Sequence, residues 1–127
     1  MDNRTIREFL NGLDEQESIA VQVAALLGAT FRLDDLIELN SIKASKILAL
    51  LRKMVKKNII GKKSGNAEGI YFFVKNKFPN TVLKSMGNGK KELLLLKIIP
   101  YLEKELPADN KKPLVLAELY LKFGKNN

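Results

Sequence analysis

The sequence of 127 residues contains no cysteine, no histidine and no tryptophan. Without cysteine, disulfides and thiol nucleophiles are excluded, and without histidine a Ser-His-Asp triad or an imidazole general base cannot form. The usual ligands of structural zinc are missing as well. We therefore expect a protein that is not an enzyme and that uses neither a metal ion nor a cofactor.

Long hydrophobic runs are also lacking. The longest, residues 93–96, is ended by Lys97, whereas a membrane-spanning helix needs roughly 20 apolar residues. Residues 1–4 are polar and are not followed by the apolar stretch of a secretory signal. We expect a soluble, cytoplasmic protein without contact to a membrane.

Acidic residues are scarce in the middle of the chain. The net charge is +8, from 22 lysines and arginines against 14 acids. Residues 43–91 hold thirteen of these cations and one acid, Glu68, so this segment carries +12, whereas residues 1–42 carry −5. Such a basic block points to a polyanion, to an acidic partner surface, or to a face that is only solvated.

Helix signals dominate the first part of the sequence. Asp14, with Glu17 three residues later, is typical of a capping box, an apolar run follows, and Gly28 ends the predicted helix. A short second helix is predicted over residues 33–39, with its leucines on one side and its acids on the other.

A third helix is expected to start from an N-cap at Asn40 and Ser41 and to end near Lys57, with Asn58 as its stop. A period of 3.6 residues predicts that one side is apolar and the other basic. The apolar stripe consists of Ala44, Ile47, Leu48, Leu51, Met54 and Val55. The opposite side carries Lys43, Lys46, Leu50, Lys53 and Lys57, flanked by Ser45, Ala49, Arg52 and Lys56.

The pattern then changes from helix to strand. Residues 59–63 and 70–74 are rich in β-branched and aromatic side chains, and the loop 64–69 between them makes a hairpin. Tyr71 and Phe73 share one face of the second strand and are expected in the core, with Phe72 on the other face.

Three further helices are predicted after the hairpin. They cover residues 79–86, residues 90–106 with a kink or a split at Pro100, and residues 113–123, where Gly124 caps the end. The apolar side of the last helix would need a packing partner or would mediate a homodimer.

The order helix, helix, turn, helix, hairpin predicts a winged helix-turn-helix. We therefore expect a mainly α fold with a small β-hairpin, in which residues 13–78 form the winged-helix domain. Residues 1–12 form an N-terminal segment, and residues 79–127 form a helical extension that starts a repeat-like array.

The basic side of the third helix and the first wing strand form the candidate site for duplex DNA or an acidic partner. Its residues are Lys43, Lys46, Arg52, Lys53, Lys56, Lys57, Lys62 and Lys63. This face could span a major groove and contact phosphates. Base edges are usually contacted by Arg, Asn or Gln, and only a peripheral Arg52 is available, so the sequence predicts phosphate contact better than sequence-specific contact.

Several stretches resemble the winged-helix domain of STAND-type signalling ATPases, which include large ATP-dependent transcriptional regulators. Residues 23–36, VAALLGATFRLDDL, are similar to the opening motif AAVLG-x-x-F-x-x-x-x-L of that domain. Residues 71–76, YFFVKN, are similar to its second wing strand. Residues 97–107 and 116–127 are similar to the helices that lead into its tetratricopeptide-type repeats.

The resemblance implies a non-catalytic regulatory and protein-interaction module of a signal-transducing ATPase or transcriptional regulator. Its partners would be the ATPase or repeat domains of a parent protein, from which this chain would be a fragment or a stand-alone relative. The alternative is a DNA-binding transcription factor domain that contacts duplex DNA through the third helix and the wing.

Overall fold

The structure is a computed structural model that describes residues 2–63 and 69–105. The chain divides into two compact units, Met1–Ser85 and Met86–Asn127. The described part is mainly helical, with a small three-stranded antiparallel sheet, which confirms the predicted fold class at this level. The elements are α1 (Asn3–Asn11), α2 (Glu15–Leu27), β1 (Thr30–Arg32), α3 (Leu33–Leu39), α4 (Ala44–Lys56), β2 (Ile60–Lys62), β3 (Ile70–Phe73), α5 (Lys77–Ser85) and α6 (Asn88–Glu105).

Two elements, α1 and β1, have no counterpart in the sequence prediction. The side chain of Asp2 caps α1 by accepting a hydrogen bond of 2.8 Å from the backbone N–H of Thr5. Ile6 of α1 is fully buried, and the ring of Phe9 meets that of Phe78 edge-on at 5.9 Å. The N-terminal segment is therefore a helix that packs on α5 as part of the first unit.

Both ends of α2 follow from local sequence, as predicted. The side chain of Asp14 accepts a hydrogen bond from the amide of Glu17 at 2.8 Å, and the side chain of Glu17 accepts one from the amide of Asp14 at 3.0 Å. At the other end Gly28 has φ 121°, a conformation that side-chain-bearing residues rarely adopt. The helix must therefore end at this glycine.

The start of α4 differs from the prediction. Its N-cap is Lys43, and neither Asn40 nor Ser41 caps it. Asn40 is buried, and its side-chain amide donates a hydrogen bond of 2.7 Å backwards to the carbonyl of Leu36, so it closes α3 instead. The predicted end of α4 is confirmed, because Asn58 takes the left-handed conformation that terminates helices, with φ 61°.

The predicted apolar stripe of α4 is wrong in part, because the side of the helix that faces the core is rotated about the helix axis relative to the predicted side. Its buried residues are Ile47, Leu50, Leu51 and Met54. Leu50, which the sequence placed on the basic side, is 3% exposed, whereas Val55 is 38% exposed and Ala44 lies at the surface. Leu48 is half-buried at the edge of the stripe. Two overlapping apolar stripes are thus possible on α4, and the one that contains Leu50 is the one buried in the core.

The sheet has the strand order β1-β3-β2 and is antiparallel throughout, which confirms the predicted hairpin of β2 and β3. Tyr71 and Phe73 are buried as predicted, and the ring of Phe31 from β1 lies 5.9 and 5.3 Å from theirs. Phe72 lies on the opposite face, where its ring covers Gly61 so closely that a Cβ there would collide with it. Most of the predicted loop, residues 64–68, lies outside the described residues.

The second unit contributes α6 to the described part. This helix runs without a break from Asn88 to Glu105, so the expectation of a split at Pro100 is wrong. Pro100 is exposed, and water can therefore satisfy the carbonyl that loses its hydrogen-bond donor. The predicted helix over residues 113–123 lies outside the described residues.

Candidate nucleic-acid interface

The orientation of α4 determines which cations can meet a partner. At roughly 100° per residue, the side opposite the buried stripe consists of Ser45, Ala49, Arg52 and Lys56. We call these four residues the outer face of α4, and all four are exposed. Two of the eight predicted site residues, Arg52 and Lys56, lie on it.

Lys46 and Lys53 point to a different side of α4, where they contact α2. The Nζ of Lys46 lies 2.8 Å from Oδ2 of Asp14, and the Nζ of Lys53 lies 3.4 Å from Oε2 of Glu17. Lys53 also lies 6.0 Å from the centre of the Phe9 ring. These two cations are therefore engaged within the molecule.

The pKa of Asp14 is lowered by its contacts with α2 and α4. It is held below its ordinary value of 3.8 by the hydrogen bond from the backbone amide of Glu17 and by the hydrogen bond from Lys46. Both interactions favour the ionised carboxylate. The N-terminal end of α2 thus offers a fixed negative charge to one side of α4.

Arg52, Lys56 and Lys62 surround a recess between α4 and the hairpin, which we call the basic recess. Its volume is about 350 Å³, and it is lined by Leu48, Arg52, Val55, Lys56, Lys62 and Tyr71. The apolar side chains belong to both the helix and the sheet, and the lining residues include no acid. The recess thus lies between the outer face of α4 and the strand β2, which carries Lys62.

The remaining predicted site residues lie elsewhere. Lys57 lines two other recesses, of about 340 and 380 Å³, which it shares with α1. Lys43 is exposed immediately before α4, and Lys63 is exposed after β2. The eight cations predicted as one site therefore occupy at least three different parts of the surface.

The sequence pattern placed Leu48, Val55 and Tyr71 in the core, so none of the three was predicted as a site residue. Tyr71 does lie in the core, at 7% exposure, and it also lines the recess. Leu48 and Val55 are seven residues apart and therefore lie on one side of the helix. That spacing was visible in the sequence, but the rotation of α4 that exposes this side was not.

Other kinds of site find no support among the described residues. No three acidic side chains there come together as a metal ion would require. Within the same ranges, none of the helices combines the length and the apolar character needed to cross a membrane.

The resemblance of residues 23–36 to STAND-type ATPases stays a prediction. Comparison of the chain with protein-family models, with curated proteins and with solved structures found no match in any of the three.

Proposed function

We propose that the first unit is a winged helix that binds duplex DNA. In this proposal the outer face of α4 enters the major groove, and the hairpin of β2 and β3 lies against the adjacent sugar-phosphate backbone. The order α2, β1, α3, α4, β2, β3, in which a helix pair precedes the hairpin, supports the proposal, because DNA-binding helix-turn-helix domains place their second helix of the pair in the groove.

The observation that carries the proposal is the continuity of positive charge from α4 to the hairpin. Arg52, Lys56 and Lys62 lie around one recess, and neither its lining nor α4 contains an acid. A phosphate backbone carries one negative charge per about 1.7 Å of duplex and is the natural partner of such a surface. A helix of about 10–12 Å diameter also fits a major groove of about 12 Å.

The position of Lys46 and Lys53 sharpens the proposal. Both are needed against Asp14 and Glu17, so a duplex would contact the other side of α4. Exchanging either lysine for an acid would place like charges together and disturb the packing of α4 on α2. These two positions are therefore unsuitable for testing DNA contact.

The test compares Lys56→Glu/Lys62→Glu with the wild type, using fluorescence anisotropy on a labelled duplex of mixed sequence at low salt. We expect the wild type to bind and the double variant to lose about tenfold or more in affinity, because two phosphate contacts become repulsive. The matched control is Arg7→Glu/Lys84→Glu, which has the same charge change at two exposed positions on α1 and α5.

Two results would contradict the proposal. If the wild type has no affinity at low salt, where phosphate contacts are strongest, the protein does not bind DNA. If the double variant and its control lose affinity equally, only the net charge matters and the surface is wrong. Circular dichroism of all variants checks that the fold is retained.

A second function, the regulatory module of a signal-transducing ATPase or transcriptional regulator, is favoured by α6. Its Leu93 and Leu96 are 70% and 72% exposed and lie one helical turn apart. Adjacent exposed leucines suggest contact with another protein. If the protein has no affinity for duplex DNA, this second function is the remaining candidate. The basic recess would then contact an acidic surface of another protein.

A further inference from the structure

Arg52 occupies a more central position than the sequence predicted. Because Leu50 is buried, the exposed side of α4 differs from the predicted one. Arg52, which was predicted at the margin of the basic side, therefore lies on the outer face. Its neighbours there, Ser45 and Ala49, are small and leave room for its guanidinium to approach a partner closely.

An apolar ledge lies immediately beside Arg52. Leu48 and Val55 follow it around the helix, and both line the basic recess together with Tyr71. Val55 is 38% exposed, and Leu48 is half-buried, so both present methyl groups at the surface. A planar group of donors and an apolar surface therefore lie next to each other on the side of α4 that faces the hairpin.

We propose that Arg52 is the base-recognising residue of this surface and that its guanidinium donates hydrogen bonds to O6 and N7 of a guanine. In the same proposal, Leu48 and Val55 contact the methyl group of an adjacent thymine. This inference rests on the duplex binding proposed above. The guanidinium is a rigid fork of donors that matches the two acceptors of guanine in the major groove. The thymine methyl is the one apolar group that base edges offer there.

The other cations of the recess have a different role. Lys56 and Lys62 are point charges without a fixed donor geometry and contact phosphates, which position the protein but carry no sequence information. Recognition through one arginine and one ledge is narrow. We therefore expect preference at about two adjacent base pairs, with discrimination of about 5- to 150-fold against the wrong base at the guanine.

The first experiment selects bound duplexes from a randomised pool with the wild-type chain and sequences them. We expect enrichment of a guanine with an adjacent thymine. The same selection with Arg52→Ala should give no preference at the guanine, and Arg52→Lys should weaken it, because the charge remains while the forked geometry is lost. The matched control is Arg7→Ala, which removes an exposed arginine from α1 and should keep the enrichment.

The second experiment tests the ledge on the selected duplex. Replacing the enriched thymine by uracil removes only the methyl group and should lower the affinity of the wild type. The same replacement should have little effect on Leu48→Ala, because the surface that contacts the methyl has been removed. Unfolding curves of Leu48→Ala and Arg52→Ala verify that both variants remain folded under the binding conditions.

The outcomes separate this inference from the proposed function. If the wild type binds duplex DNA but enriches no position, or if the guanine preference survives in Arg52→Ala, Arg52 does not recognise bases, although DNA binding stands. If uracil and thymine bind equally well to the wild type, the ledge makes no base contact. If the wild type does not bind duplex DNA at all, both proposals fail.

Discussion

Leu50 shows how one side chain fixes the surface that the protein presents. Leu50 belongs to the buried side of α4 and is only 3% exposed. With Leu50 in the core, Arg52 and Lys56 lie on the opposite, outer side of the helix. Had Val55 taken its place in the core, the same helix would have presented Lys46 and Lys53 instead. The set of cations that α4 exposes on its outer face therefore depends on a buried leucine.

We predict that Leu50→Ala lowers the free energy of unfolding by about 2–5 kcal/mol, because it leaves a cavity in a packed core. Val55→Ala, the matched control on the same helix, should cost clearly less, since Val55 is 38% exposed. Urea unfolding followed by circular dichroism measures both. Equal losses for the two variants would contradict the orientation of α4 described here.

Residue-level burial was only partly predictable from the sequence. Ile47, Leu51 and Met54 belong to both possible apolar stripes of α4 and were assigned correctly. Leu50 and Val55 distinguish the stripes, and the choice between them is made by contacts of α4 with β2, α2 and α3, which come from elsewhere in the chain. Periodicity within one helix does not contain that information.

At the scale of elements, the N-terminal end of α2 serves both as a helix cap and as a partner for α4. Asp14 caps its own helix through the amide of Glu17 and also contacts Lys46 of α4, about thirty residues later in the sequence. The caps at Asp14, Gly28 and Asn58 were predicted from local sequence. Those at Asp2 and Asn40 were missed or assigned to the wrong helix.

The pKa of Asp14 gives this contact a measurable signature. Because its pKa in the folded state lies below 3.8, the ionised carboxylate stabilises the fold above that pH, and the stabilisation is lost as the pH falls through the lower value. In the variant Asp14→Asn, the amide oxygen of the new side chain can still cap the helix, but the group does not titrate. We therefore predict that the stability advantage of the wild type over this variant shrinks between about pH 5 and pH 2.

Urea midpoints of the two proteins across this pH range provide the measurement. The comparison with the variant cancels the titration of Asp2, whose pKa is also lowered, chiefly by the amide of Thr5. A difference in stability that stays constant with pH would show that the carboxylate of Asp14 makes no favoured contact in the folded state.

Element types were easier to predict than their partners. The helices α2, α3, α4 and α5 and the hairpin were all identified, because each has its own apolar period or turn. The strand β1 has only three residues and exists through its pairing with β3, about forty residues away. The helix α1 was missed although Ile6, Phe9, Leu10 and Leu13 follow a helical period, because its few apolar residues stand among polar ones.

At the scale of the whole molecule, charge is distributed along the chain in blocks of opposite sign. Residues 1–42 carry −5 and residues 43–91 carry +12, and the two blocks meet where α2 contacts α4. Local neutralisation of Lys46 and Lys53 leaves Arg52, Lys56 and Lys62 as the cations of the basic recess. A charge asymmetry of this kind steers a polyanion toward one side of a protein.

The salt dependence of duplex affinity is the sharpest test of whether the protein binds DNA through α4 and the hairpin. We predict that the logarithm of the binding constant falls linearly with the logarithm of salt concentration, with a slope of about −2 or steeper if Lys56 and Lys62 each release a counterion from a phosphate. Lys56→Glu/Lys62→Glu should flatten the slope by about 2, and Arg7→Glu/Lys84→Glu should leave it unchanged. A wild-type slope near zero, or one that the first double variant does not alter, would contradict binding of DNA through α4 and the hairpin.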